Sequence, residues 1–226
     1  MLRPFRRART GAACLSAALL LLGACADPEI SATEPEITQS RYSSGGPAEI
    51  ALVTNVSNRD NWGAHSALII DGPERVVFNP AGTWYHPASP ERGDVHYGFT
   101  PEMEAWFIDY HARETYRVHI QRIQVPPEVA AAALERARTY GRVGPARCTV
   151  AVTEILHGLP GFEDFPVVWF PDRAEKAFAR YDGVETTIYV DDSPGDRSDL
   201  DRGIPRESTV RAVPQHGLAE AVPRDL

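Results

Sequence analysis

Residues 64–79 constrain this chain more than any other stretch. Residues 64–71 (AHSALIID) are a near-continuous apolar run and read as a buried strand. Asp71-Gly72-Pro73 is a turn signal, and residues 75–79 (RVVFN) read as a second short strand, so the two make a hairpin. A sheet therefore forms the centre of the fold. Residues 49–55 (EIALVTN) read as a further strand. Residues 115–125 alternate, with Tyr116, Val118 and Ile120 set against Arg117, His119 and Gln121, and predict a half-buried strand. Residues 186–190 read as the last one. Helices fall between the strands. Thr100 is an N-cap before Pro101 and Glu102, opening a helix to about His111. Residues 126–140 are Ala-rich, residues 148–159 carry apolar side chains at 148, 151, 152, 155 and 156, and residues 172–181 form a short helix. The class is α+β, an antiparallel sheet packed against helices.

The ends read differently. Arg3, Arg6, Arg7 and Arg9 precede an apolar run over residues 12–22 that is shorter than the ~20 residues a bilayer span needs. The run ends in Leu22-Gly23-Ala24-Cys25, which resembles the lipobox of bacterial lipoproteins. That resemblance implies a signal peptide over residues 1–24 and a diacylglycerol thioether on Cys25. It also implies an acylated amine there, and so a stable attachment to a membrane surface of the cell envelope. Residues 25–46, polar with two Pro and a closing Gly-Gly, read as the lipidated Cys and a flexible tether. The folded domain is expected over residues 47–190. Residues 191–226, rich in Asp, Arg, Pro and Gly, read as a disordered acidic tail.

Without the four leader arginines, 19 basic residues stand against 31 acidic ones, a formal charge of about −12. Such a surface repels nucleic acid and anionic headgroups, so membrane contact should come through the lipid alone. Cys14 leaves with the leader and Cys25 carries lipid, which makes Cys148 the one free thiol. No spacing of His, Asp or Cys residues suits a metal, there is no Gly-rich phosphate loop, and no cofactor is expected. His111 and His119, on helix and strand faces beside Arg and Tyr, read as solvated. Trp62, Trp84, Trp106 and Trp169 read as core or rim.

Cys148 opens its expected helix after a Gly-Pro loop. Free backbone amides and the positive helix end stabilise a thiolate there and can hold a developing oxyanion. His65 stands at the mouth of an apolar strand, where an imidazole is costly unless bonded. Pairing with Cys148 would account for it. Each residue also has a bland reading, Cys148 as buried filler and His65 as a satisfied core or cap histidine.

A His that opens an apolar strand, followed about eighty positions later by a helix beginning with Cys, resembles the circularly permuted NlpC-type papain-like hydrolases, relatives of lecithin retinol acyltransferase. The resemblance covers roughly residues 48–160. It implies a Cys148 nucleophile, a His65 base and a polar residue that orients His65 from the neighbouring strand. Asn79 is the first candidate for that third role, with Asp94, His96 and His86 as fallbacks. A three-residue hairpin loop over 71–73 sets Asn79 directly opposite His65, whereas loops of two or four residues send it to the other side of the sheet. Two features depart from the pattern: Arg147 and Thr149 flank the Cys where many relatives have a small or acidic polar residue, and a bulky Trp62 stands on the approach to His65. The activity implied is a cysteine hydrolase or acyltransferase acting on amide or ester bonds, with peptidoglycan peptides or lipid acyl groups as candidate substrates. The alternative is a non-catalytic binding or assembly lipoprotein on the same scaffold.

Overall fold

Strands β1 (Glu49–Ser57) and β2 (Gly63–Asp71) are apolar on both faces because both faces are covered. In a strand, alternate side chains point to opposite sides. Ile50, Leu52, Leu68 and Ile70 therefore enter one core, and Ala51, Val53, Ala67 and Ile69 a second. The computed structural model describes residues 31–204 and 207–215. Over these residues the protein is α+β, with one eight-stranded antiparallel sheet and six helices. The expected leader and Cys25 lie outside the described residues. No helix among those residues is long and apolar enough to cross a membrane.

The remaining strands are β3 (Arg75–Phe78), β4 (Glu91–Arg92), β5 (Val95–His96), β6 (Tyr116–Gln124), β7 (Glu185–Val190) and β8 (Arg211–Gln215). The sheet runs β4-β5-β3-β2-β1-β6-β7-β8. Helix α1 (Glu34–Ser40) adds Ile37 to the first core, together with α3 (Pro127–Tyr140), α4 (Cys148–Leu156) and α5 (Pro171–Phe178). Helix α2 (Pro101–His111) covers the second core through Phe107 and Ile108. It starts where expected: the Thr100 hydroxyl accepts from the Met103 amide at 3.3 Å, with Pro101 at the first helical position. The short helix α6 (Ser198–Asp201) brings Leu200 into the same core.

Order reaches past both expected boundaries, 47 and 190. Helix α1 forms within the segment read as tether. Thr33 and Glu36 supply the reason, since the Glu36 carboxylate accepts from both the Thr33 amide and its hydroxyl at 2.7 Å. Ile37, 2% exposed, then anchors the helix. At the other end, the segment read as a disordered tail contains α6 and β8, and β8 pairs with β7 from Thr186↔Gln215 to Val190↔Arg211. A buried cluster holds this segment. The Arg113 guanidinium, 1% exposed, donates to Asp109 at 3.2 Å, Asp191 at 3.0 Å and Ser193 at 2.8 Å. The Thr209 hydroxyl donates to Asp191 at 2.6 Å. A buried carboxylate is tolerated only with such partners.

Two histidines read as solvated are buried. His111 Nδ1 donates to the Phe107 carbonyl at 2.8 Å, and His119 Nδ1 meets Glu175 Oε1 at 2.5 Å. Each has a hydrogen-bond partner on a neighbouring turn or element, which makes burial affordable.

Candidate active site

The hairpin sets the geometry. Asp71 pairs with Arg75 and Leu68 with Phe78, so the loop is Gly72–Pro73–Glu74, one residue later than the loop that would put Asn79 opposite His65. Glu74 belongs to the loop because its carboxylate turns inward to pair with Arg138 and Arg41. This register moves Asn79 two places along β2, to a position in line with Ala67. A shift of two preserves the face, so Asn79 still reaches His65 diagonally. His65 Nε2 and Asn79 Oδ1 are 2.7 Å apart. An amide oxygen only accepts, so Nε2 carries the proton and Nδ1 is left to deal with the thiol.

A local irregularity presents His65. It pairs with Asn55 across the β1–β2 ladder, but the next pair is Val56↔Gly63, which leaves Ala64 as the extra residue of a β-bulge. Bulges bend a strand and re-aim the side chains beside them. Asn79 is 2% exposed and held by its backbone. Its amide donates to the Asp94 carbonyl at 2.8 Å, and its own carbonyl accepts from Gly82 at 3.0 Å.

Cys148 occupies the first position of α4. The first helical bond runs from the Ala151 amide to the Arg147 carbonyl, so the amides of Cys148, Thr149 and Val150 have no partner within the helix. The thiol is half-buried. Burial alone would push it up. A hydrogen bond with His65, the His65 charge, the Ser66 amide and the Thr149 hydroxyl outweigh that and bring it down to about 7, from an ordinary value near 9.0. His65 is therefore the neighbour that most lowers the Cys148 thiol, and Asn79 bonds the imidazole. Ser66 and Thr149 join β2 to α4 through a hydroxyl pair at 3.1 Å.

The fallback candidates have other tasks. The Asp94 carboxylate accepts from the Ala81 amide at 3.1 Å and the Val143 amide at 2.8 Å. It thereby ties the turn after Asn79 to the loop before Cys148. His96 is buried edge-on against Trp84, with ring centroids 4.8 Å apart, and His86 lies at the same distance from Trp106. Among the described residues no group of three or more His, Cys, Asp or Glu side chains is arranged to hold a metal.

No family model, curated protein or solved structure matches this chain. The functional reading therefore rests on the site itself.

The bracing by Ser66, Thr149 and Asp94 was not legible in the sequence, because each acts across elements far apart in the chain. Gly82 was legible only as a loop glycine. A Cβ there would fall 2.1 Å from Asn79 Nδ2, 2.4 Å from Cγ and 2.5 Å from Oδ1. Gly82→Ala is accordingly expected to push the Asn79 amide off His65 and lower turnover by about 100-fold, the scale of a 1 Å misplacement. Asn79→Ala should match it. Steady-state kinetics, with denaturant unfolding to show that stability is little changed, checks this.

Trp62 and Trp169 are 64% and 61% exposed, so these two form rim and not core, whereas Trp84 is core. The Arg147 guanidinium lies 6.0 Å from the Trp169 ring centre, which sets that ring beside the residue preceding Cys148.

Proposed function

We propose that this protein is an envelope lipoprotein, anchored through lipid on Cys25, that acts as a cysteine hydrolase or acyltransferase with a permuted papain-like arrangement. One arrangement carries the reading: a half-buried thiol at a helix N-terminus lies beside an imidazole whose far nitrogen is bonded to a buried amide. An inert core cysteine has no use for that set. The order of a His strand before a Cys helix, joined by the Ser66–Thr149 contact, fits the permuted arrangement.

The chemistry follows from the tautomer. His65 Nδ1 takes the thiol proton, and Nε2–H stays on Asn79. The Cys148 thiolate attacks the carbonyl carbon of an amide or ester. The Cys148 amide is one donor for the oxyanion. The carbon–heteroatom bond breaks, and His65 returns the proton to the leaving group. Water, or a second nucleophile in an acyltransferase, then releases the thioester and restores the thiol. Candidate substrates are peptidoglycan peptides and lipid acyl groups, and neither nucleic acid nor a cofactor enters.

The decisive measurement is the rate of iodoacetamide alkylation of Cys148 against pH, read by intact mass on folded protein. A midpoint near 7 is expected. A thiol that reacts only after unfolding leaves the non-catalytic binding lipoprotein as the reading. The anchor is tested separately: Cys25→Ser should lose the lipid mass and move the protein from the membrane fraction to the soluble one.

A further inference from the structure

The end of the sheet that carries the candidate site also receives the start of the domain. Phe78↔Val95 and Arg92↔Val95 bring β5 and β4 to the end where β3 gives way to Asn79. There the Ala32 amide donates to the Glu91 carbonyl at 2.7 Å, and Arg92 Nε donates to the Ala32 carbonyl at 2.9 Å. Helix α1 follows on the face that also carries α4 and α5, through Ile37. Strand β4 is three places from β2, roughly 15 Å at ordinary strand spacing. Only six residue steps separate Cys25 from Ser31, a reach of roughly 20 Å. A domain of this size is roughly 40 Å across. Lipid on Cys25 therefore holds this end of the sheet, and not the opposite one, near the bilayer.

The same end carries the three most exposed large apolar side chains among the described residues. These are Trp62, Trp169 and Phe170, the last 52% exposed. They converge from two elements. Trp62 precedes Gly63, whose backbone lies so close to α5 that a Cβ there would fall 2.6 Å from Pro171 Cβ. Trp169 and Phe170 directly precede Pro171. The charges beside them are spent locally, Arg59 on Asp60 at 3.1 Å and Lys176 on Asp172 at 3.9 Å. Arg147, near the Trp169 ring, and the exposed Arg173 add positive charge. The acidic surplus of the whole chain is thus offset at this rim. Tryptophan favours the headgroup level of a bilayer, and arginine beside it reaches the phosphates while its stem stays on apolar surface.

We infer that Trp62, Trp169 and Phe170 form a membrane-docking face, which inserts at the headgroup level of the bilayer that holds the lipid anchor. The inference rests on the Cys25 anchor proposed above and adds a second contact to it. Charge over the whole chain leaves the lipid as the sole contact, whereas this rim is aromatic and not acidic. The short reach from Cys25 confines the rings near the surface, so even weak insertion is strengthened by the linkage. Docking sets the mouth of the Cys148 site at headgroup depth.

The test uses the full mature chain carrying Cys25→Ser, so that no acyl chain contributes. It is sedimented with vesicles of phosphatidylcholine alone and of phosphatidylethanolamine with phosphatidylglycerol. Partition into both is expected, and should persist in about 0.5 M salt, which screens surface charge. Trp62→Ser, Trp169→Ser and Phe170→Ser together should lower it roughly 100-fold. Phosphatidylcholine brominated on its acyl chains should quench the tryptophan emission. Trp62→Phe with Trp169→Phe, which guards against a folding defect, should keep partition and remove most of the quenching, since Trp84 stays in the core. No partition into either vesicle, partition unchanged by the three serines, or quenching that survives in the phenylalanine pair overturns the docking face. So does sedimentation with isolated cell-wall sacculi in preference to vesicles, which would assign the rings to glycan. The mass of the wild-type protein separates the two levels. Lipid on Cys25 without vesicle partition of the serine form removes the face alone. Partition without lipid on Cys25 removes the anchor and keeps the face.

Discussion

A His65→Gln variant is expected to alkylate at Cys148 roughly 50-fold more slowly at pH 7 than the wild type, and to lose about 10³- to 10⁴-fold in turnover. The first figure comes from the balance at the sulfur. Burial raises the thiol, and the His65 hydrogen bond and charge are the largest opposing influences, ahead of the Ser66 amide and the Thr149 hydroxyl. Glutamine carries no charge to offset burial, so the thiol returns to its ordinary value near 9.0 or above. At pH 7 the thiolate fraction then falls from about one half to about one hundredth. Turnover falls further, because the variant also lacks the acid that protonates the leaving group. Rate–pH profiles of wild type and variant under native conditions check the first effect. Matching midpoints would mean that the imidazole does not act on the sulfur, and the mechanism would fall with it.

The proposed pairing of His65 with Cys148 was legible because each residue violates its local pattern. An imidazole in an apolar strand and a thiol at a helix start both ask for a partner. Asn79 was legible as the polar residue ending the neighbouring strand, but its register was not. That depended on Glu74, which enters the hairpin loop only because Arg138 and Arg41 wait on other elements. The terminal segments were misjudged for a related reason. Composition reports how much apolar surface a segment can bury by itself. Residues 191–204 and 207–215 bury little, and are held by Arg113 through Asp191 and Ser193, an ion cluster spanning 78 and 80 positions of chain. Around residue 33 the capping pair Thr33 and Glu36 was present in the sequence, and the Pro-rich polar context masked it.

The same buried histidines set a second large effect. Acid is expected to begin destabilising this protein below about pH 6.5, above the range in which carboxylates titrate. Burial is the main cause that holds both His96 and His111 down to about 3, from an ordinary value of 6.5. Both are neutral in the fold and become charged in the unfolded chain below about pH 6.5. Between those limits the unfolded state binds more protons, so stability is complete above pH 6.5 and is lost as pH falls towards 3. Each group contributes about 1.4 kcal/mol per pH unit, so the pair gives a slope of roughly 2–3 kcal/mol per unit between pH 6 and 5. Carried down to pH 3, the loss approaches about 9 kcal/mol, within the roughly 5–15 kcal/mol that stabilises a whole domain. Denaturant unfolding at pH 7.5, 6, 5.5 and 5 measures the slope in a window where carboxylates remain ionised. His96→Phe keeps the aromatic contact with Trp84 and should halve it. A flat wild-type profile over that window would mean that one or both imidazoles accept a proton inside the fold.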